Sequence, residues 1–544
     1  MTTAILRGKP DAGNPHVRFD EGEVASAKPR RGSLLYKERA CEKVRCALVL
    51  VLVTVVCAAG GVELDTSADR VRTPLWVPLR RAGTLRPRST HEIKGSNWTL
   101  GCECIDRDLV NFDAYRRFLA PLGIKTIRIQ GGWQKCEKVK GAYEFGWLDH
   151  VVDAAAEDGI SCYLDTEYNN TNYSEGGVDL GAKFPSTPEA LRGWDNWVDA
   201  LSKHFKGRVR DWSMWNEPWC IPDEIVSNNV RTAKIIRRNI PDARIGALSL
   251  GDCSPARIES CVRAMGEDRH LFTWIVYHGY TYAPEQRYED VDEIRAMLDR
   301  LFPEAILRQG ENGCPSEYLP HGWVLNGVPW SEYSQAKWIM RRMLGDLGHD
   351  VLSGVFQIVD FYNPKRKLVD GVTNTKGLLR TDRSKNVIDI KLSYYAVQNL
   401  VSVFDDRWTR VRDSKFETTD PGIARYEYVR ESGARMYVFW RFDDAHPQPV
   451  EKGDMIRERD PLFAHIGEPV RPGDGFVTVP QVFKVKDGRP PLEDPVWVDL
   501  FTGQVYDFPK TKVSASPDAV YYMSVPVYDS PCLLVERAAL DLMK

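Results

Sequence analysis

Two glutamates, each at the end of an apolar run, have the clearest potential for chemistry in this chain. Glu217 ends the apolar run of residues 209–215 and is followed by Pro218, which stops a strand. Glu311 ends a second run, residues 305–309, where Gly310 and Gly313 loosen the chain. A carboxylate at the C-terminal end of a parallel strand lies where α/β barrels keep their catalytic groups. Two such carboxylates can serve as a proton donor and a nucleophile.

The spacing of the two glutamates indicates how many elements separate them. They are 94 residues apart, which is enough for three further β-α units of roughly 30 residues each. The first glutamate is therefore predicted to follow a fourth strand and the second a seventh strand.

Eight strand-like runs alternate with helical patterns, and this alternation is typical of a parallel sheet. Apolar residues recur at three- and four-residue spacing between the runs, as in residues 148–155 and 194–201. Eight units over residues 91–400 predict an α/β fold, a (β/α)8 TIM barrel. The runs are residues 98–104, 126–130, 161–165, 210–215, 244–250, 272–278, 305–309 and 354–359.

The pattern changes to strict alternation from about residue 401. Residues 425–429 and 436–440 alternate around a Glu-Ser-Gly turn, and residues 497–501 and 504–508 form a second such pair. Residues 401–544 are therefore predicted to form an antiparallel β-sandwich packed on the barrel.

Three motifs together resemble clan A of the retaining glycoside hydrolases. They are Trp-Asn-Glu-Pro at residues 215–218, Tyr-His-Gly-Tyr at 277–280 and Gln-Gly-Glu-Asn-Gly at 309–313. The stretch from 309 to 316 is most similar to family 39 and its relatives. The resemblance covers the chain from about residue 96 to the end. It implies hydrolysis of O-glycosidic bonds in an oligosaccharide, polysaccharide or glycoconjugate, with no cofactor.

The resemblance also implies roles for individual residues. Glu217 would be the acid/base and Glu311 the nucleophile, and two carboxylates about 5–5.5 Å apart give retention of configuration. Tyr280 would donate a hydrogen bond to Glu311, and Arg128 would place positive charge beside it. Both contacts would favour the ionised form of the nucleophile.

Other residues are candidates for substrate contacts. Asn216 would bind the sugar 2-hydroxyl, and His278 would contact the sugar or orient Tyr280. Trp133 and Trp219 follow predicted strands and would offer aromatic faces to sugar rings, with core packing as the alternative for each. Asp165 and Glu167, around the end of the third strand, would bind hydroxyls or be structural.

One position departs from the clan pattern. Many clan A enzymes carry a tryptophan at the end of the eighth strand, whereas residues 356–362 contain none. Phe361 is the candidate substitute.

The N-terminal region differs in composition from the rest. Residues 1–45 form a basic tail predicted to be disordered, and residues 46–62 are apolar over 17 residues, near the lower limit of about 17–25 for a spanning helix. One interpretation is an uncleaved type II anchor that leaves the catalytic domain lumenal or extracellular. The other is a signal peptide cleaved near Ala59, giving a secreted protein. Residues 63–90 are interpreted as a stem.

Charge and cysteine usage set further limits. A net charge of −3 gives no support for nucleic acid binding, and no Cys or His spacing is typical of a zinc site. Beyond the predicted anchor, Cys253 and Cys261 are close enough in sequence to form a local disulfide, and Cys220 with Cys314 are either a disulfide across the barrel mouth or buried thiols. The triplets beginning at Asn97, Asn169 and Asn172 are glycosylation sequons, with Asn169 predicted to lie too close to the site to be modified.

Two alternatives to hydrolysis remain open from the sequence. One is transglycosylation, in which a sugar hydroxyl replaces water. The other is a carbohydrate-binding or adhesion protein on an inactive barrel, because fold does not fix function.

Overall fold

The computed structural model describes residues 62–173, 177–319, 323–364, 371–442 and 476–543. The predicted basic tail and, except for Val62, the predicted apolar segment lie outside these residues. Among the described helices, none has both the length and the apolar character needed to span a bilayer.

Eight parallel strands close into a barrel, as the sequence predicts. Each strand pairs with its sequence neighbour, and the last pairs with the first. The seventh strand is longer than predicted and contains Glu311 itself. The eighth is displaced towards the N-terminus, and its barrel pairing stops at Val355. In order, the strands are Trp98–Gly101, Thr126–Gln130, Ser161–Thr166, Asp211–Met214, Arg244–Leu250, Trp274–Tyr277, Ile306–Asn312 and Leu352–Val355.

Amphipathic helices cover the barrel. In the helix Pro188–His204, Thr187 caps the first turn by accepting from the Ala190 N–H, and proline occupies the first helical position. Trp194 and Trp197 on its inner face are completely buried. The α-helices are Phe112–Tyr115, Leu119–Leu122, Trp133–Cys136, Gly146–Glu157, Pro188–His204, Pro222–Asn239, Pro255–Met265, Tyr288–Leu301, Glu332–Gly348 and Leu392–Val403. Short 3₁₀ turns lie at Arg116–Phe118, Thr171–Tyr173, Gly266–Leu271, Lys510–Lys512 and Arg537–Ala539.

Two antiparallel sheets form the C-terminal domain, in agreement with the predicted sandwich. Phe439, Trp497 and Tyr522 belong to a buried apolar cluster that both sheets supply. The first sheet contains Arg80–Leu85, Thr409–Arg410, Ile423–Val429, Arg435–Arg441, Pro495–Asp499, Gln504–Asp507, Cys532–Glu536 and Leu542–Met543. The second contains Phe416–Glu417, Val479–Val485, Val513–Ala515 and Val520–Val527. Two small hairpins, Phe361–Asn363 with Val372–Asn374 and Leu379–Thr381 with Val387–Ile390, follow the barrel.

The segment interpreted as a stem requires a correction. Arg80–Leu85 is a strand of the first sheet and pairs with both Gln504–Asp507 and Leu542–Met543. Arg88 then forms a buried ion pair of 2.7 Å with Asp405. The error arises because strand partners more than 400 residues away leave no local signal in the sequence.

The barrel and the C-terminal sheets share one continuous apolar core. Polar contacts fix this interface: Lys337 lies 2.7 Å from Asp529, and the Trp440 indole donates to Glu285 at 2.6 Å. The barrel and the C-terminal sheets therefore belong to one compact unit within residues 60–544.

All nine cysteines in the described part of the chain are free thiols, and eight of them are buried. The disulfides considered for Cys253 with Cys261 and for Cys220 with Cys314 are not formed. The alternative interpretation as a buried thiol fits Cys314, whereas Cys220 is half-buried.

Candidate active site

The two glutamates meet across the C-terminal mouth of the barrel. One carboxylate oxygen of Glu217, one of Glu311 and a ring nitrogen of His278 all lie within 4.8 Å of one another. This bound on the oxygen–oxygen distance is compatible with the roughly 5–5.5 Å between the carboxyl groups of retaining glycosidases. The sequence spacing therefore predicted correctly which two strands face each other.

Local backbone geometry points Glu217 into the mouth. Trp215 and Glu217 adopt positive φ angles of 59° and 47°, and the Glu217 N–H donates to the Ser249 carbonyl at 2.9 Å. A non-glycine residue in this region costs about 1–3 kcal/mol and is found most often at functional sites. The chain therefore leaves strand geometry at the point where the carboxylate turns inward.

Three side chains surround the Glu311 carboxylate. Arg128 donates to its Oε1, Tyr280 donates to its Oε2 at 3.0 Å, and the His278 Nδ1 lies 3.7 Å from Oε2. Burial by itself would raise the pKa of Glu311, but the charges on His278 and Arg128 and the hydrogen bonds from Arg128 and Tyr280 hold that pKa below its ordinary value. Glu311 is therefore ionised, as a nucleophile must be. The predicted contacts of Tyr280 and Arg128 are both present.

His278 contacts both glutamates and is completely buried. Its Nδ1 lies 2.8 Å from Glu217 Oε1, and this contact is closer than the one to Glu311. The sequence predicted that this histidine contacts the sugar or orients Tyr280, and the structure adds Glu217 as a partner. Gly310 makes the room, because a Cβ there would lie 2.9 Å from the His278 Nε2.

Arg128 is the hub of a buried polar network. Its Nη1 also donates to Glu103 Oε1 at 2.9 Å, and its Nη2 lies 2.6 Å from Asp165 Oδ2. Burial raises the pKa of both Glu103 and Asp165, while the Arg128 charge acts in the opposite direction on each. Glu103 was missed from the sequence, although a charged residue just after the first strand was a usable signal.

Arg128 also holds the Asn216 side chain. Its Oδ1 accepts from the Arg128 Nη2 at 2.7 Å, and its Nδ2 donates to the Tyr168 hydroxyl at 2.9 Å. The amide is therefore fixed beside both carboxylates. Contact with a sugar 2-hydroxyl stays a prediction.

The two carboxylates around the end of the third strand, Asp165 and Glu167, are completely buried. Asp165 contacts Arg128, whereas neither oxygen of Glu167 has a hydrogen-bond partner among the described residues. Burial raises the pKa of Glu167 well above its ordinary value. Contact of either residue with a sugar hydroxyl stays a prediction.

The two candidate tryptophans have opposite environments. Trp133 is completely buried, stacks on Tyr173 and Trp197, and is a core residue, so its assignment as a sugar platform is wrong. Its indole donates to Glu137, which fixes it further inside. Trp219 is 72% exposed at the mouth and remains available for a ligand.

At the end of the eighth strand, the Phe356 ring meets the Tyr280 ring edge-on, with 6.5 Å between the ring centroids, while Phe361 packs against Phe356 and Trp323. The role of Phe361 as a substitute for the clan tryptophan stays a prediction. The chain turns into a hairpin after the strand, which sequence periodicity does not reveal.

The cluster of Glu217, His278 and Glu311 also has the donor atoms and the spacing of a metal site. Two of these atoms, His278 Nδ1 and Glu217 Oε1, are already within hydrogen-bond distance of each other. Two carboxylates that face each other in this way also provide the groups that acid/base and nucleophilic chemistry need.

Comparison with known proteins matches this fold. No family model and no curated protein matches the sequence. A family 39 glycoside hydrolase from the gut symbiont Bacteroides cellulosilyticus WH2 is 17% identical, with 83% of each chain covered and a TM-score of 0.58. The family 39 enzyme from Xanthomonas axonopodis pv. citri is 15% identical, covers 83% of this chain and 95% of its own, and has a TM-score of 0.52. The chain therefore shares the fold that its three motifs indicated.

Proposed function

We propose that this protein is a retaining glycoside hydrolase that acts by double displacement, with Glu217 as acid/base and Glu311 as nucleophile. The observation that carries the proposal is the pair of carboxylates at the barrel mouth, with one oxygen of each within 4.8 Å of the other. The neighbours of Glu311 hold its pKa below the ordinary value, and Glu217 Oε1 lies 2.8 Å from the His278 Nδ1. The fold shared with two family 39 glycoside hydrolases supports the same conclusion.

The first displacement forms a glycosyl-enzyme. Glu311 attacks the anomeric carbon while Glu217 gives its proton to the glycosidic oxygen, and the leaving group departs as a neutral alcohol. Asn216, locked by Arg128 and Tyr168, would hold the 2-hydroxyl as charge develops on the ring.

The second displacement releases the sugar. Glu217, now ionised, takes a proton from water as that water attacks the anomeric carbon, and Glu311 leaves as a carboxylate. Arg128 and Tyr280 stabilise the charge that returns to Glu311. His278 touches both carboxylates and would keep the Glu217 proton on the side of the leaving oxygen.

The test is a panel of 4-nitrophenyl glycosides of neutral sugars and uronic acids, in both anomers, offered to the full chain beside Glu311→Ala and Glu217→Ala. We expect turnover of at least one member, a loss of at least about 10³-fold in Glu311→Ala, and retention of anomeric configuration in the product. Azide should restore turnover in Glu217→Ala, because a small anion can attack the glycosyl-enzyme without a general base. Glu267→Ala, an exposed carboxylate of the Gly266–Leu271 turn, is the matched control.

Inversion of configuration, or full activity in Glu311→Ala, would contradict the mechanism. Binding of glycans by folded wild-type protein without any turnover, unchanged in Glu311→Gln, would instead support the carbohydrate-binding alternative. Product analysis with an added sugar acceptor separates hydrolysis from transglycosylation.

A membrane-anchored, lumenal or extracellular location is proposed from residues 1–62 alone. Among the sequons, Asn169 is buried and its amide donates to the Lys183 carbonyl at 2.8 Å, so it is the poorest acceptor for a glycan. Carbonate extraction of membranes and protease protection of the full chain test the location. Release by carbonate would contradict a transmembrane anchor.

A further inference from the structure

An open groove of about 1310 Å³ is lined by Trp219, the residue two positions after Glu217. It runs between residues 177–186, after the third strand, and the first turns of the helix Pro222–Asn239. Its volume exceeds the roughly 300–1,000 Å³ of ordinary small-molecule pockets, so it has room for more than one sugar ring. Residues that line it include Leu180, Phe184, Trp219, Asp223 and Glu224.

Residues 177–186 form one wall of the groove, and this wall packs against residues beside the candidate site. The Phe184 ring packs on Trp215 with 4.6 Å between ring centroids, and the Lys183 carbonyl accepts from the Asn169 amide at 2.8 Å. Asp179 is paired with Arg107. These contacts place the wall before any ligand arrives, which lowers the entropic cost of binding.

The opposite wall is fixed as well. Arg257 donates to the carbonyls of Pro218 at 2.9 Å and Cys220 at 3.2 Å, which holds the turn that carries Trp219. The Trp219 side chain is nevertheless 72% exposed. A large aromatic face held on a fixed turn beside a groove is suited to stacking on a ligand.

We infer that this groove binds the leaving-group side of the substrate, an uncharged saccharide chain whose first ring stacks on Trp219. The inference rests on the proposed function, because Glu217 protonates the glycosidic oxygen and the leaving group must depart on its side. Trp219 follows Glu217 by two residues, and the groove begins there.

The lining favours a neutral sugar over an acidic one. Asp223 and Glu224 are exposed carboxylates in the groove, whereas Arg231 is already held by both oxygens of Asp195 at 2.6 Å. Lys183 is the remaining exposed cation of the lining, so carboxylates are in excess. Carboxylates accept hydrogen bonds from sugar hydroxyls, and like charges repel uronate or sulfate groups.

The experiment compares two substrates that carry the same sugar at the cleaved bond, a 4-nitrophenyl monoglycoside and a neutral trisaccharide. The measured quantity is the ratio of kcat/KM for the long substrate to that for the short one. Trp219→Ala should lower this ratio about 10-fold or more, because the stacking partner of the departing chain is lost. Ile221→Ala is the control, since Ile221 is 60% exposed on the same turn but does not line the groove.

A binding measurement gives a second readout. Glu217→Gln, which cannot turn over the trisaccharide, is titrated calorimetrically with neutral and with uronate-containing trisaccharides, with and without Trp219→Ala. Tighter binding of the neutral chain, weakened at least 10-fold by Trp219→Ala, supports the inference.

The outcomes separate the inference from the proposed function. Wild-type turnover with a ratio that Trp219→Ala leaves unchanged would overturn the groove assignment and leave the glycosidase intact. Equal or tighter binding of the uronate chain would overturn the assignment to a neutral sugar. Absence of turnover on every glycoside would count against the proposed function, while the calorimetric comparison would still decide the inference.

Discussion

The hydrogen bond from Tyr280 to Glu311 gives the sharpest test of the site, because Tyr280→Phe removes one hydroxyl and leaves the ring in place. That hydroxyl lies 3.0 Å from the Glu311 Oε2, and the ring keeps its edge contact with Phe356. When the glycosyl-enzyme breaks down, Glu311 recovers its negative charge, and Tyr280 is one of the donors that stabilise it.

The size of the effect follows from the strength of such a bond. A hydrogen bond to a charged group contributes about 1.5–3 kcal/mol. Only part of the charge has returned in the transition state, so we expect a loss of about 1–2 kcal/mol, or roughly 5- to 30-fold in the rate of deglycosylation. Loss of the bond also removes one of the contacts that hold the pKa of Glu311 down, so the acid limb of the pH profile should move to higher pH.

The assay is stopped-flow hydrolysis of a dinitrophenyl glycoside, whose good leaving group makes the first displacement fast. Tyr280→Phe should give a burst of dinitrophenolate followed by a slow steady state, because the glycosyl-enzyme accumulates. Tyr282→Phe is the matched control: this tyrosine lies two residues away and its hydroxyl has no contact with either carboxylate. An unchanged steady-state rate and acid limb in Tyr280→Phe would refute the reasoning. An equal loss in both variants would indicate a general packing effect instead.

Three further predictions concern the supports of the site. Wild-type kcat/KM should keep its acid limb below the ordinary range of a glutamate, because Glu311 stays ionised until the pH falls through its lowered pKa; a pH profile with a limb above that range would contradict this. Gly310→Ala should reduce kcat at least about 100-fold at near-wild-type secondary structure, because the new Cβ would lie 2.9 Å from the His278 Nε2. Gly146→Ala is the control and should leave kcat unchanged, because a Cβ at Gly146 would have no neighbour within 4 Å. A chain that begins at residue 91 should unfold at least about 10 °C lower than one that begins at residue 62. The shorter chain lacks the Arg80–Leu85 strand and the buried pair of Arg88 with Asp405, and breaking such a pair costs about 3–5 kcal/mol. Equal melting temperatures would show that the strand is dispensable.

The sequence by itself determined the barrel, the β-sandwich and the pair of glutamates that meet at the mouth. Strands with apolar runs and helices with 3.6-residue periodicity are local patterns, and their alternation indicates a parallel sheet. Glu217 and Glu311 could be placed together because each lies at the end of its own predicted strand, and the order of strands around a barrel equals their order in the chain. The contacts of Arg128 and Tyr280 with Glu311 were expected from the resemblance to clan A, and both are present.

Tertiary structure alone decided which side chains face the site and which are buried. Trp133 and Trp219 look alike in sequence, yet one is enclosed by Tyr173 and Trp197 and the other is exposed. The contact of Phe356 with Tyr280 and the pairing of Arg80–Leu85 depend on turns and on partners distant in the chain, which no local pattern encodes. The pKa shifts of the buried carboxylates around Arg128, upward for Glu103 and Asp165 and downward for Glu311, likewise depend on the three-dimensional field and not on the neighbours in sequence.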